Sequence, residues 1–148
     1  MRTVTVERKI AAPPEPVFDL IADHAAYKRF RGIRGSELLS EGDPPPNGVG
    51  AMRRVLIGPF RFEEEIEVYD RPSRMDYRIV RMNAPFDHKG GSIRLTEDDG
   101  ETRAEWTSTF RVPVRVIGGL QERIWALVVA RRFRRMLEDV DRLVTGHD

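Results

Sequence analysis

The chain has no cysteine. That excludes a disulfide framework, a thiolate metal site and a cysteine nucleophile. Only His24, His88 and His147 supply imidazoles, and none has a second histidine at ligand spacing, so no metal motif is present. An excess of charge is lacking too. With 25 basic against 24 acidic residues the formal net charge is +1, too little to steer nucleic acid or an anionic membrane surface. The longest apolar run, from Ile124 to Ala130, is far short of the ~20 residues that a membrane-spanning helix needs. The opening stretch from Met1 to Lys9 lacks the apolar core of a secretory signal. Together with the missing thiols, this makes the cytoplasm the expected compartment. Gly48-x-Gly50 lacks the third glycine and the following helix of a phosphate loop, and no Gly-x-Ser-x-Gly elbow occurs.

What is present is an ordinary globular composition: 148 residues, 40% hydrophobic and 33% charged. That length predicts one domain over residues 1–148 with a core large enough to need no staple. Val4, Val6 and Ile10 alternate with polar residues, the period of a half-buried strand, which Ala11-Ala12-Pro13-Pro14 then breaks. A helix begins near Pro14-Glu15-Pro16 and buries Val17, Phe18, Ile21 and Ala22; a second short helix covers residues 25–30. Strand-like segments follow at 36–41, 49–57, 60–69, 75–82, 91–96 and 103–112, joined by short turns. After Gly118-Gly119 a long helix spans about 120–144, with Trp125, Val129, Phe133, Met136, Val140 and Leu143 on one stripe. Its polar face carries Arg131, Arg132, Arg134 and Arg135, and the simplest reading is a solvated surface with pairs such as Arg134–Glu138 and Arg135–Asp139. The predicted fold is α+β: a twisted antiparallel sheet curled around the long helix.

Alternation also assigns the inward faces. In the strand at 60–69, Phe60, Phe62, Ile66 and Val68 share a face with Glu64. A carboxylate facing an apolar space suits general acid–base chemistry, or it pairs with an inward arginine. Arg53 and Arg54 are neighbours on the preceding strand, so one of them faces inward, and Val55 and Ile57 favour Arg53. A bulge near Gly48–Gly50 would reverse that assignment. Such an arginine holds Glu64, or a ligand carboxylate or enolate oxygen, through a bidentate fork. Trp106, Ser108 and Phe110 face the helix from the last strand, and Trp106 offers either a stacking surface or plain core. Tyr77 shares a face with Met75 and Ile79. His88 stands before Gly90-Gly91, where another backbone or a ligand can approach closely.

These pieces together resemble a known family. Ile10-Ala11-Ala12-Pro13-Pro14-Glu15-x-Val17-Phe18 opens the first helix, and Ile21-Ala22-Asp23 and Tyr27 follow. Gly48-Val49-Gly50-x-x-Arg53-Arg54, Glu64-Glu65-Ile66, Pro72-x-Arg74-Met75-x-Tyr77, His88-x-Gly90-Gly91 and Trp106-x-Ser108 continue the pattern. The chain resembles the START/Bet v 1-like (SRPBCC) superfamily, in its polyketide cyclase/dehydrase branch. The resemblance implies a helix-grip fold with an elongated apolar cavity between the sheet and the C-terminal helix.

Three functions are then in view. The first is binding of a small hydrophobic ligand (a polyketide, lipid or aromatic metabolite) by Arg53, Arg54, Phe62, Tyr77, Trp106, Ser108, Phe110, Trp125, Val129 and Phe133. The second is a cyclase or dehydratase needing no cofactor. There Glu64 or His88 would move a proton α to a carbonyl while Arg53, Arg54 or Tyr77 stabilises the enolate oxygen. The third is a co-chaperone-like interaction domain, which needs no cavity. Neither nucleic acid nor metal is an expected partner, and a monomer and a homodimer fit equally well.

Overall fold

In a computed structural model, residues 1–112 and 120–146 are described, apart from the His24 side chain. The expected Gly118-Gly119 start of the last helix, and His147, lie outside the described residues. Strand β1 (Arg2–Ile10) buries Val4, Val6 and Ile10, as its alternation predicts. Helix α1 (Pro14–Ala22) starts with prolines and Glu15 in its first turn and buries Val17, Phe18, Ile21 and Ala22. The Asp23 carboxylate then accepts the Ala25 N–H at 3.0 Å, capping a short 3-10 helix at His24–Arg29. Six strands follow: β2 (Ile33–Ser40), β3 (Met52–Ile57), β4 (Phe60–Asp70), β5 (Arg74–Met82), β6 (Asp87–Asp98) and β7 (Glu101–Arg111). The final helix is α2 (Leu120–Thr145).

All seven strands form one antiparallel sheet in the order β1-β7-β6-β5-β4-β3-β2. The segment holding α1 and the 3-10 helix therefore carries the chain from one edge of the sheet to the other. Helix α2 packs on β1, β7 and α1. That one-sided seating leaves room between the helix and the middle strands.

Several local expectations need correction. The strand expected from Val49 begins at Met52, because Gly50 turns the chain at φ +89° and Val49 only bridges Asp43. In β4 the register with β5 shifts between Ile66 and Val68, so Tyr69 opposite Met75 faces the core in place of Val68. Asp139 is fully buried, where a solvated partner of Arg135 was expected. It accepts the Arg31 backbone N–H at 2.9 Å and Arg31 Nε at 2.7 Å, with Arg142 at 3.6 Å. Glu138 pairs with Arg31 at 3.4 Å, where Arg134 was expected. Asp141 pairs with Arg8 at 2.8 Å, so the acidic side chains of α2 clamp the helix to the sheet and the 3-10 segment.

Candidate functional site

A cavity of about 210 Å³ lies between α2 and the concave face of the sheet. Its open end is formed by Gly58, Pro59 and Phe60 of the β3–β4 turn and by Trp125 and Val128 of α2. Gly58 and Pro59 are exposed, and so is Val128. Its inner end is closed by buried Arg53, Glu64, Met75, Ile93 and Met136. Aromatic rings make much of the wall. Trp106 stacks on Phe133 at 4.2 Å between centroids, and Trp125 packs against Phe60 at 5.2 Å and Phe86 at 5.7 Å.

One polar group in the wall is an ion pair. Period two turns Arg53 and Glu64 inward on adjacent strands, directly opposite each other in the β3–β4 register. Arg53 Nη2 reaches Glu64 Oε1 at 2.6 Å, and Nη1 donates to the Ala22 carbonyl at 3.0 Å, the last residue of α1. The guanidinium also lies 5.0 Å from the centre of the Tyr27 ring. Burial lowers the Arg53 pKa, but Tyr27 and Glu64 outweigh it and raise the value overall. Burial pushes the Tyr27 phenol up to about 12, and that hydroxyl donates to the Ile21 carbonyl at 2.9 Å.

The second polar group lies across β5, β6 and β7. Tyr77, Gly91 and Ser108 are register partners on these three strands. A methyl group on Gly91 would stand 2.6 Å from the Tyr77 hydroxyl and closer still to its ring, so the missing side chain lets the phenol lie across β6. There the Tyr77 oxygen accepts the Trp106 indole N–H at 2.8 Å. Burial pushes the Tyr77 phenol pKa up strongly. The space over Gly91 is thus filled by a side chain, where a backbone or a ligand was expected. Gly91→Ala should displace the Tyr77 ring and cost about 1–3 kcal/mol by overpacking. Urea denaturation measures this, and a variant as stable as the parent would contradict the cradle.

The inward sequence candidates converge well. Arg53, Glu64, Phe62, Tyr77, Trp106, Ser108, Trp125, Val129 and Phe133 all line the cavity. Three candidates do not. Arg54 faces the outer side, where it pairs with Glu37 at 3.4 Å and Glu63 at 3.5 Å. Phe110 is fully buried behind Phe86, with ring centres 4.9 Å apart. His88 is buried behind the wall, stacked on Tyr77 at 5.5 Å and bonded to Ser108. Tyr27, Phe86 and Met136 line the cavity without having been expected as ligand contacts. Arg132, expected on the solvated face of α2, lines it too and donates to the Arg31 carbonyl at 3.0 Å. Met136 was on the predicted stripe. Phe86 sits beside Ala84-Pro85, which reads as a separator. Tyr27 sits on a 3-10 turn whose inward face has no simple period.

Among the described residues, no helix is long and apolar enough to cross a membrane. The fold is shared with solved structures that are distant in sequence. A protein of Thermus thermophilus is 21% identical with a TM-score of 0.81, covering 99% of this chain and 100% of its own. The Zhui aromatase/cyclase of Streptomyces sp. R1128 is 21% identical with a TM-score of 0.77, covering 97% of this chain and 95% of its own. A START superfamily protein of Mycobacterium smegmatis is 14% identical with a TM-score of 0.66, covering 90% of this chain and 96% of its own. No curated protein matches the chain in sequence. The family described as polyketide cyclase/dehydrase and lipid transport matches residues 1–145, essentially the whole helix-grip domain, and the chain belongs to that family.

Proposed function

We propose that the protein binds one small hydrophobic molecule in the cavity between the sheet and α2. The observation that carries this reading is the cavity itself: aromatic walls, an opening among the described residues at the β3–β4 turn, and a few polar groups on the wall. Pockets of this composition hold apolar ligands and use a few polar groups to orient them. Its volume of about 210 Å³ is below the ~300–1,000 Å³ typical of small-molecule sites. That favours a compact ring system, such as an aromatic or polyketide-derived molecule, over a long acyl chain. In this reading Trp106, Phe133, Trp125 and Phe62 supply apolar faces, and Arg53, Glu64, Tyr77 and Ser108 set the ligand's direction.

The test is native mass spectrometry of protein purified from its own host. The expected result is a co-purifying small molecule that denaturation releases. Protein that is empty in repeated preparations would contradict the proposal.

A second reading is favoured by the position of Glu64 on the wall beside Arg53 and Tyr77. In a cyclase or dehydratase, Glu64 would take a proton α to a carbonyl while Arg53 or Tyr77 stabilises the enolate oxygen. The fold shared with an aromatase/cyclase is compatible with that chemistry. His88 would contribute only through Ser108, since its ring does not line the cavity. Glu64→Gln separates the two readings. An enzyme loses about 10²–10⁴-fold in turnover in this variant while still binding, whereas a binder has no turnover to lose and changes only in affinity. The co-chaperone reading needs no cavity and stands behind both.

A further inference from the structure

Two hydroxyl groups in the cavity wall have their hydrogen-bond direction dictated by what lies behind them. Pairing between β5 and β6 is continuous from Arg74 to Tyr77 and ends at the Tyr77–Gly91 pair. Beyond it, the Ile79 backbone N–H donates to His88 Nδ1 at 2.9 Å. A backbone N–H can only donate, so Nδ1 carries the lone pair and the ring proton is on Nε2. Nε2 lies 2.9 Å from Ser108 Oγ, so the serine oxygen accepts and its own hydrogen is left over.

Tyr77 is in the same position. An indole N–H can only donate, so the Tyr77 oxygen accepts from Trp106 and its hydrogen is left over too. Both residues line the cavity, and among the described residues no acceptor takes either hydrogen. The phenol lies across Gly91, the cross-strand neighbour of Ser108, which brings the two hydroxyls within about one strand spacing, ~5 Å. The neutral ring is reinforced by its surroundings: burial, then the nearby Arg78, push His88 down to about 4.

We propose that Tyr77 and Ser108 form a donor pair that selects ligands bearing an acceptor oxygen, a ketone, quinone or enolate, with His88 the positioning residue that sets the direction of the serine hydroxyl. This deepens the ligand-binding reading and rests on it. Of the other polar side chains on the wall, Tyr27 donates to the backbone and Arg132 donates to the Arg31 carbonyl. Arg53 is held by Ala22 and Glu64 through its two Nη atoms, with its Nε left without a partner. A carbonyl entering beside Tyr77 and Ser108 completes both donors. A hydrocarbon leaves them unmet.

The test compares 1-tetralone with tetralin, which share a bicyclic frame and differ at the carbonyl. Affinities come from quenching of Trp106 and Trp125 fluorescence. The carbonyl stretch of bound 1-tetralone reports the hydrogen bonds directly. The ratio of the two affinities should fall about ten- to thirtyfold from the parent to the Tyr77→Phe/Ser108→Ala double variant, the size of two net hydrogen bonds. The carbonyl stretch should move toward its value in alkane. His88→Phe should give part of both effects with Ser108 still in place. An unchanged ratio and an unchanged stretch in the double variant would overturn the donor pair and leave the ligand-binding reading standing. Failure of the parent protein to bind either compound would overturn that reading and the donor pair with it.

Discussion

Replacing Arg53 with alanine should destabilise the protein by about 3–5 kcal/mol, the cost of leaving a buried partner charge uncompensated. Arg53 is 1% exposed and Glu64 5%. Removing the guanidinium leaves the Glu64 carboxylate in an apolar wall without the counter-charge it now has at 2.6 Å. It also frees the Ala22 carbonyl at the end of α1 and takes the cation from the face of Tyr27. The loss should therefore exceed that of an exposed ion pair such as Lys9–Glu101, which is worth about 0–1 kcal/mol. Removing both charges acts differently. Arg53→Met with Glu64→Leu takes away both desolvation costs, and buried pairs replaced in this way often come out neutral or more stable by about 1–4 kcal/mol. Urea denaturation at neutral pH should rank the double variant above Arg53→Ala. The reverse order would show that Arg53 stabilises the fold through packing, with its charge incidental.

Acid should weaken the fold through His88 by about 3 kcal/mol, from the shift between 6.5 in the unfolded chain and about 4 in the folded one. Burial is the main cause, joined by the Arg78 charge and partly opposed by Asp87. The folded pKa is the lower of the two, so the unfolded chain takes up the proton first. The stabilisation is intact above about 6.5, declines as pH falls, and is gone by about 4. Protonation would also put an N–H against the Ile79 N–H and break the contact that joins β5 to the ring. Stability measured at pH values above and below this window should fall about 3 kcal/mol further in the parent than in His88→Phe. The phenylalanine stacks in the same place but cannot titrate. Parallel losses in both proteins would contradict a neutral, buried His88.

Much of this arrangement was legible in the sequence because strands reveal their faces through a period of two. Alternation turns Glu64, Tyr77, Trp106 and Ser108 inward and favours Arg53 over Arg54, and all five line the cavity. The stripe of α2 was likewise readable from steps of three and four. What could not be read is set by contacts between segments. A bulge after Ile66 exchanged Val68 for Tyr69, since one extra residue reverses every later side chain. Asp139 looked like a surface acid on a polar helix face, and only docking of the Arg31 segment buries it. His88 gave no sign that its two nitrogens would meet a backbone N–H and a serine, because strand divergence beyond Gly91 opened that space.

The central claim is that a small apolar molecule enters between the β3–β4 turn and α2 and reaches the inner wall. The protein has two tryptophans, Trp125 at the open end and Trp106 deeper in, and both line the cavity. The most direct measurement is a titration of ¹⁵N-labelled protein with tetralin, following the two indole N–H resonances. Both should shift together and saturate. Movement of Trp125 alone, or of neither, would place the molecule outside the cavity and contradict the account.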